Sequence, residues 1–255
     1  MKRIRVIPTL LIKNGGLVKS IKFKNHKYVG DPINAVKIFN EKEVDEIVIL
    51  DISVTAEKRE PDFKRIAELT SEAFMPLAYG GGITKLDEIK KLINTGVEKV
   101  IINSAAFVNK KLIEDAAKYV GSQSIVVSID VKRNIWGKYK VYAGNGSKNT
   151  NLDPMSFAMA MEAAGAGEIL LNSIDRDGTF GGYDEDLIKM VSSSISIPLV
   201  AVGGASSVDD FKKAIHAGAS AVAAGSMFVF QRPHRAVLIS YPSQEELKNE
   251  VYLGL

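Results

Sequence analysis

The sequence predicts a single (β/α)8 barrel, and three observations carry that prediction. Short apolar runs alternate with segments of helical period from end to end, the pattern of a parallel sheet wrapped by helices. Eight such units fit within 255 residues, the count and size of a closed eight-stranded barrel. Landmarks also recur at one spacing: Pro76 and Pro198, Glu46 and Glu168, Asp31-Pro32 and Asp153-Pro154, and Gly96 and Gly218 each stand 122 residues apart. Such repetition implies two half-barrels of four units, about 1–122 and 123–255, closed into one domain over 1–255. A doubly wound sheet would satisfy the alternation but leave the two-fold repetition unexplained.

The candidate strands are residues 3–11, 47–51, 76–79, 99–103, 125–130, 168–173, 198–202 and 221–224. Helical segments follow them, such as "DPINAVKIFNEKE" after the first and "TKLDEIKKLINTG" after the third. Asp31-Pro32 and Asp153-Pro154 read as an N-cap followed by proline in the first turn, and Gly96 and Gly218 fall at helix ends. Residues 13–29, with Lys13, Lys19, Lys22, Lys24, Lys27, Gly15, Gly16 and Phe23, read as a charged loop. It could be a lid over a phosphorylated ligand, a docking loop or a solvated segment.

Bulk composition narrows the function classes. Apolar residues make up 46% and charged residues 25%, ordinary for a soluble globular chain. A net charge of +3 is too small to imply a nucleic-acid partner, yet it is compatible with phosphorylated small molecules. With no cysteine in the chain, disulfides, thiolate nucleophiles and thiolate metal sites are excluded. The basic start is followed by too short an apolar run for a signal peptide, and no stretch approaches a membrane span. The expectation is a cytoplasmic protein without a membrane partner.

Glycine-rich turns mark the expected functional end of the barrel, where the loops after the strands lie. "YGGGI" (79–83) and "INSAA" (102–106) follow strands three and four, and "VGGAS" (202–206) and "AGSMF" (224–228) hold the matching places in the second half. Glycines let backbone N–H groups approach an anion, and a helix N-terminus adds a favourable dipole. Two related sites suggest a ligand with a phosphate at each end. Between them, "SIDRDGTFGGYD" (173–184) carries Asp175, Asp177 and Thr179. These acids could cap a turn or hold a metal, but no convergent ligand set is evident, so no metal or other cofactor is expected. His26, His216 and His234 read as surface residues.

With these motifs in place, the chain resembles the cyclase subunit of imidazole glycerol phosphate synthase. The resemblance rests on "GDP" (30–32), "LDI" (50–52), "GGGI" (80–83), "GSQ" (121–123), "SIDVKR" (128–133), "KNT" (148–150), "GAGEILLNSIDRDGT" (165–179) and "VGGA" (202–205). It implies one phosphate site at Gly81, Gly82, Asn103 and Ser104, and another at Asp177, Gly178, Gly204, Gly225 and Ser226. It also implies a glutaminase subunit docked at the barrel bottom, sending ammonia through the barrel. Arg5, Glu46, Lys99 and Glu168 lie at the starts of strands one, two, four and six. Alternating charges there could form a stabilising ring, and the resemblance implies an ammonia gate.

The resembled chemistry uses two aspartates, at the ends of strands one and five, as general acid and base. Strand five supplies Asp130 in "SIDVK" (128–132). Aligning "TLLIK" (9–13) on it, with Lys13 opposite Lys132, puts Leu11 opposite Asp130. Leucine cannot transfer a proton, and the neighbouring Thr9 offers only a hydroxyl, so cyclisation is expected to be impaired. The stretches "IPTLLIKNGGLVK", "KYVGDPINAVKIFNEKEVDE" and "FMPLAYGGG" also resemble acetamidino-modification paralogues of surface-polysaccharide pathways. That resemblance implies ammonia supply to a separate sugar amidotransferase. Three readings stand at this point: an ammonia conduit for sugar modification, an authentic cyclase subunit, and a non-catalytic ligand-binding barrel.

Overall fold

The computed structural model describes residues 4–252. Eight parallel strands close on themselves: β1 (Arg5–Lys13), β2 (Ile47–Asp51), β3 (Leu77–Gly80), β4 (Lys99–Ile102), β5 (Ile125–Arg133), β6 (Glu168–Ser173), β7 (Leu199–Val202) and β8 (Ala221–Ala224). Each pairs with the next, and β1 pairs with β8 as well as β2, so the (β/α)8 barrel has no free edge. All eight expected strands are present. The first begins at Arg5 and runs on to Lys13, and the expected position 3 lies outside the described residues.

The recurring landmarks act alike in both halves. Asp31 and Asp153 each accept a backbone N–H two residues into the helices Pro32–Glu41 and Pro154–Ala163, from Asn34 at 3.0 Å and Ser156 at 2.9 Å. Proline in each first turn gives up an N–H that the helix would leave unpaired anyway. Two buried acids, Glu88 and Asp210, also 122 residues apart, hold the starts of the helices Leu86–Asn94 and Val208–His216. Glu88 accepts the N–H of Thr84 at 2.7 Å, and Asp210 accepts that of Ser206 at 2.8 Å. These caps pin the glycine turns that precede them.

The main core lies between the strands and the helices, as at Phe39, Ile49, Ile89, Ile113 and Phe211. A smaller apolar cluster fills the barrel itself, with Ile7, Val48, Ile101, Leu170, Ala221 and Ala223 pointing inward. Its alanines, Ala78, Ala221 and Ala223, add little side-chain volume to that interior.

The charged loop after β1 departs from expectation. Residues Gly16–Ile21 and Lys24–Gly30 form an antiparallel hairpin continuing from β1, with Leu11 opposite Val18. A matching strand, Tyr139–Ala143, folds back on β5 with Asp130 opposite Tyr142. Both hairpins rise from the end of the barrel that carries the glycine turns. Among the described residues, no helix is long and apolar enough to cross a membrane.

Candidate active site

A cavity of about 600 Å³ opens at the C-terminal ends of the strands. Alternation along β1 sends Thr9 and Leu11 into it, along β5 Ser128 and Asp130, and along β6 Asn172. Every residue expected at the two phosphate sites lines this one cavity. Gly81, Gly82, Asn103 and Ser104 stand on one side, and Asp177, Gly178, Gly204, Gly225 and Ser226 on the other.

Backbone shape explains the glycines. Gly82 has φ +67, and a side chain there would strike Val54; Gly178 has φ +66, and a Cβ would lie 2.2 Å from the carbonyl oxygen of Ser20. Only glycine accepts such a backbone beside such neighbours. Ser104 and Ser226, again 122 apart, each start a short helix, Ser104–Val108 and Ser226–Val229, whose first turn opens on the cavity.

The hairpin after β1 contributes a buried cation. Lys19 is 3% exposed, and its ammonium donates to the backbone oxygen of Thr9. Burial pulls it down to about 8 against the opposing pull of Asp177. Lys19 Nζ also lies where a Cβ on Gly225 would fall within 2.6 Å, beside the second glycine site.

The acids of "SIDRDGT" are partly committed elsewhere. Asp177 accepts the Ser20 hydroxyl at 2.8 Å and the Phe23 N–H at 3.2 Å, so its carboxylate fastens the hairpin while lining the cavity. Burial raises it from the usual carboxylate range. Asp175 accepts the N–H of Arg133 at 2.9 Å. His216 and His234 are exposed; His26 is exposed at the cavity rim, 3.4 Å from the Lys13 ammonium.

Asp130 is 7% exposed, and burial pushes it up to about 7. A hydrogen bond from Asn103 at 3.1 Å pulls the other way, and Asp177 adds to the rise. At neutral pH it is therefore poised to give or take a proton. Leu11 lines the same cavity and supplies no such group. Asn172, beside Asp130, is not among the residues expected at the site; its signal is a polar residue two places after the inward-facing Leu170, so on the same face of β6.

At the opposite end of the barrel, Arg5, Glu46, Lys99 and Glu168 meet in a closed ring. Lys99 reaches Glu46 at 2.8 Å and Glu168 at 2.7 Å, and Arg5 pairs with both acids. Burial lowers the Arg5 guanidinium, but Glu168 and Glu46 outweigh it and hold it above its ordinary value.

The family model described as "Histidine biosynthesis protein" matches residues 5–233. The chain is 51% identical to the "Putative imidazole glycerol phosphate synthase subunit hisF2" of Pseudomonas aeruginosa, over 97% of this chain and 99% of that one. It is 42% identical to the "Imidazole glycerol phosphate synthase subunit HisF" of Endomicrobium trichonymphae, over 91% and 89%, and 41% identical to that of Alkaliphilus metalliredigens, over 98% of each. The chain belongs to the histidine biosynthesis protein family, within its group of imidazole glycerol phosphate synthase HisF subunits.

Proposed function

We propose that this chain is the cyclase-type subunit of an imidazole glycerol phosphate synthase. It binds a ligand phosphorylated at both ends and receives ammonia from a glutaminase subunit docked on the charged-ring end of the barrel. The observation that carries the reading is the cavity itself, where two repeat-related glycine sites flank one carboxyl group held near neutrality. Backbone N–H groups and Lys19 would grip the phosphates, leaving the middle of the ligand beside Asp130.

Asp130 acts in this reading as the proton-transferring group. The apolar barrel interior, from Ile7 and Leu170 up to Ala223, suits passage of neutral ammonia rather than ammonium, since burying an unpaired cation there would cost far more. The ring of Arg5, Glu46, Lys99 and Glu168 stands at its entrance, where separating one ion pair would open a path. The names of the relatives favour this reading.

A second reading is favoured by Leu11 alone: ammonia passes through the barrel to a sugar amidotransferase, for acetamidino modification in surface-polysaccharide synthesis, with cyclisation abandoned. One assay separates the two. Purified chain is given ammonium salt and the synthase's doubly phosphorylated ribonucleotide substrate. The first reading expects cyclised product that Asp130→Asn abolishes. No product, with a glutaminase partner still bound, would transfer support to the second.

A further inference from the structure

The two glycine sites come from one repeat but are backed by different residues. A Cβ on Gly82 would meet Val54, whereas a Cβ on Gly204 would lie 3.0 Å from that of Arg176, which stands 122 residues after Val54. Lys58 and Phe180, again 122 apart, share a left-handed backbone, at φ +53 and +58. Beyond the first site, the short helix Ser104–Val108 passes through Asn109 straight into the helix Lys110–Val120. Beyond the second, the helix Ser226–Val229 runs instead into an extra hairpin, in which Phe230 pairs with Val237. That hairpin carries Arg232 and Arg235.

The cations beside the two sites are also paired differently. Next to the first, Arg59 pairs with Asp51 and Glu57, and Lys85 with Glu60. Next to the second, three guanidiniums donate to backbone carbonyls: Arg176 to Gly181 at 2.8 Å, Arg232 to Ser206 at 3.0 Å and Arg235 to Gly178 at 2.9 Å. Among the described residues, none of the three has a carboxylate partner. The acids of these loops are engaged elsewhere, Asp177 with Ser20 and Phe23, and Asp210 with Ser206. Arg232 and Arg235 both lie against the ring of Phe180, 5.2 and 5.1 Å from its centre, and Phe180 lines the cavity. The two charges are therefore within about 10 Å of each other, a range over which like charges still repel. Their carbonyl bonds fix them at the edge of the second site and leave most of their N–H groups open. Cations held close with no acid between them are a ready receptor for an anion.

We infer that the second glycine site continues outward into a further anion site, so that this end of the cavity takes a diphosphate while the first takes a single phosphate. The inference rests on the phosphate reading of the glycine turns proposed above. The inner phosphoryl group sits on the backbone N–H groups of the second site, and the outer one meets Arg232 and Arg235. A substrate with one phosphate at each end leaves the outer site unfilled, so a diphosphate competes with it for the barrel mouth.

The test is calorimetric titration of the full chain with two pairs of probes: inorganic phosphate and pyrophosphate, and adenosine mono- and diphosphate. The expected result is that the diphosphate binds about tenfold or more tightly than its partner. Arg232→Gln with Arg235→Gln should remove that margin and retain phosphate binding. Arg232 is exposed, so Arg232→Gln alone serves if the double variant does not fold. Lys111→Gln with Lys118→Gln, at exposed positions of the helix Lys110–Val120, removes the same net charge and should keep the margin. Preference in the nucleotide pair assigns the site to a nucleoside diphosphate, and preference in the free-anion pair alone assigns it to pyrophosphate. Preference in neither pair, or a margin that survives in the arginine variants, overturns the inference while phosphate binding stands. Failure of all four probes to bind overturns the two-phosphate reading and this inference with it.

Discussion

Leu11 and Asp130 occupy equivalent places in the two halves of the barrel. Leu11 lies in register with Leu50 and Asp130 with Asn172, and residues 50 and 172 are separated by the 122-residue repeat. The hairpin partners agree, Val18 for Leu11 and Tyr142 for Asp130. Leu11 and Asp130 are only 119 residues apart in sequence because the segment after β5 is longer than that after β1. An acid–base pair spanning the cavity would need a carboxylate at each place, and only one is there.

Asp130 makes stability depend on pH in a direction opposite to most carboxylates. Its folded value, about 7, lies above its ordinary 3.8. Below about pH 4 it is protonated whether folded or not and has no effect. Between 4 and 7 the unfolded chain releases the proton first, so stability falls as pH rises and levels off above 7. Asp130→Asn keeps an acceptor for Asn103 and removes this loss. Thermal unfolding should show the variant more stable than the parent at pH 8, by up to a few kcal/mol, with the gap closing by pH 4.

The charged ring should be sensitive to loss of a single cation. Glu46 and Glu168 are 4% exposed, and each is shared between Arg5 and Lys99. Lys99→Met leaves two buried carboxylates to one arginine. Denaturant unfolding should register a loss of about 3–5 kcal/mol, part of which Lys99→Met with Glu168→Gln recovers.

Gly178 joins the hairpin to the second glycine site. An added Cβ would press on the Ser20 backbone at 2.2 Å and would also have to sit at φ +66. Gly178→Ala should destabilise the chain by roughly 1–3 kcal/mol. It should also weaken phosphate binding as read by titration, because Ser20 and the buried Lys19 shift with the hairpin.

The barrel was legible in the sequence because its signals are local and repeated. Apolar runs such as "IVIL" (47–50) mark buried strands, and Asp-Pro pairs mark helix starts. The hairpin over residues 16–30 was not legible. Its second strand, Lys24–Gly30, is exposed along most of its length, so no apolar alternation announces it, and its strand form comes from backbone pairing. Burial of Lys19 was hidden for a related reason: the contact at Thr9 exists only once the hairpin folds back. Asp177 read as a phosphate ligand, and its ties to Ser20 and Phe23 depend on the same fold-back. Gly81, Gly82, Gly204 and Gly225 were legible because the repeat sets them at the ends of matching strands, and the structure gathers them at one cavity.

In the proposed reading cyclisation depends on one carboxyl group, that of Asp130, and turnover of the parent chain measured beside Leu11→Asp decides whether it does. The substrate is the doubly phosphorylated ribonucleotide, with ammonium salt as nitrogen donor. The predicted result is slow turnover that requires Asp130, raised about 10²-fold or more by Leu11→Asp, in line with restoring one positioned acid or base. Turnover unchanged by Leu11→Asp, or equally fast in Asp130→Asn, would contradict it.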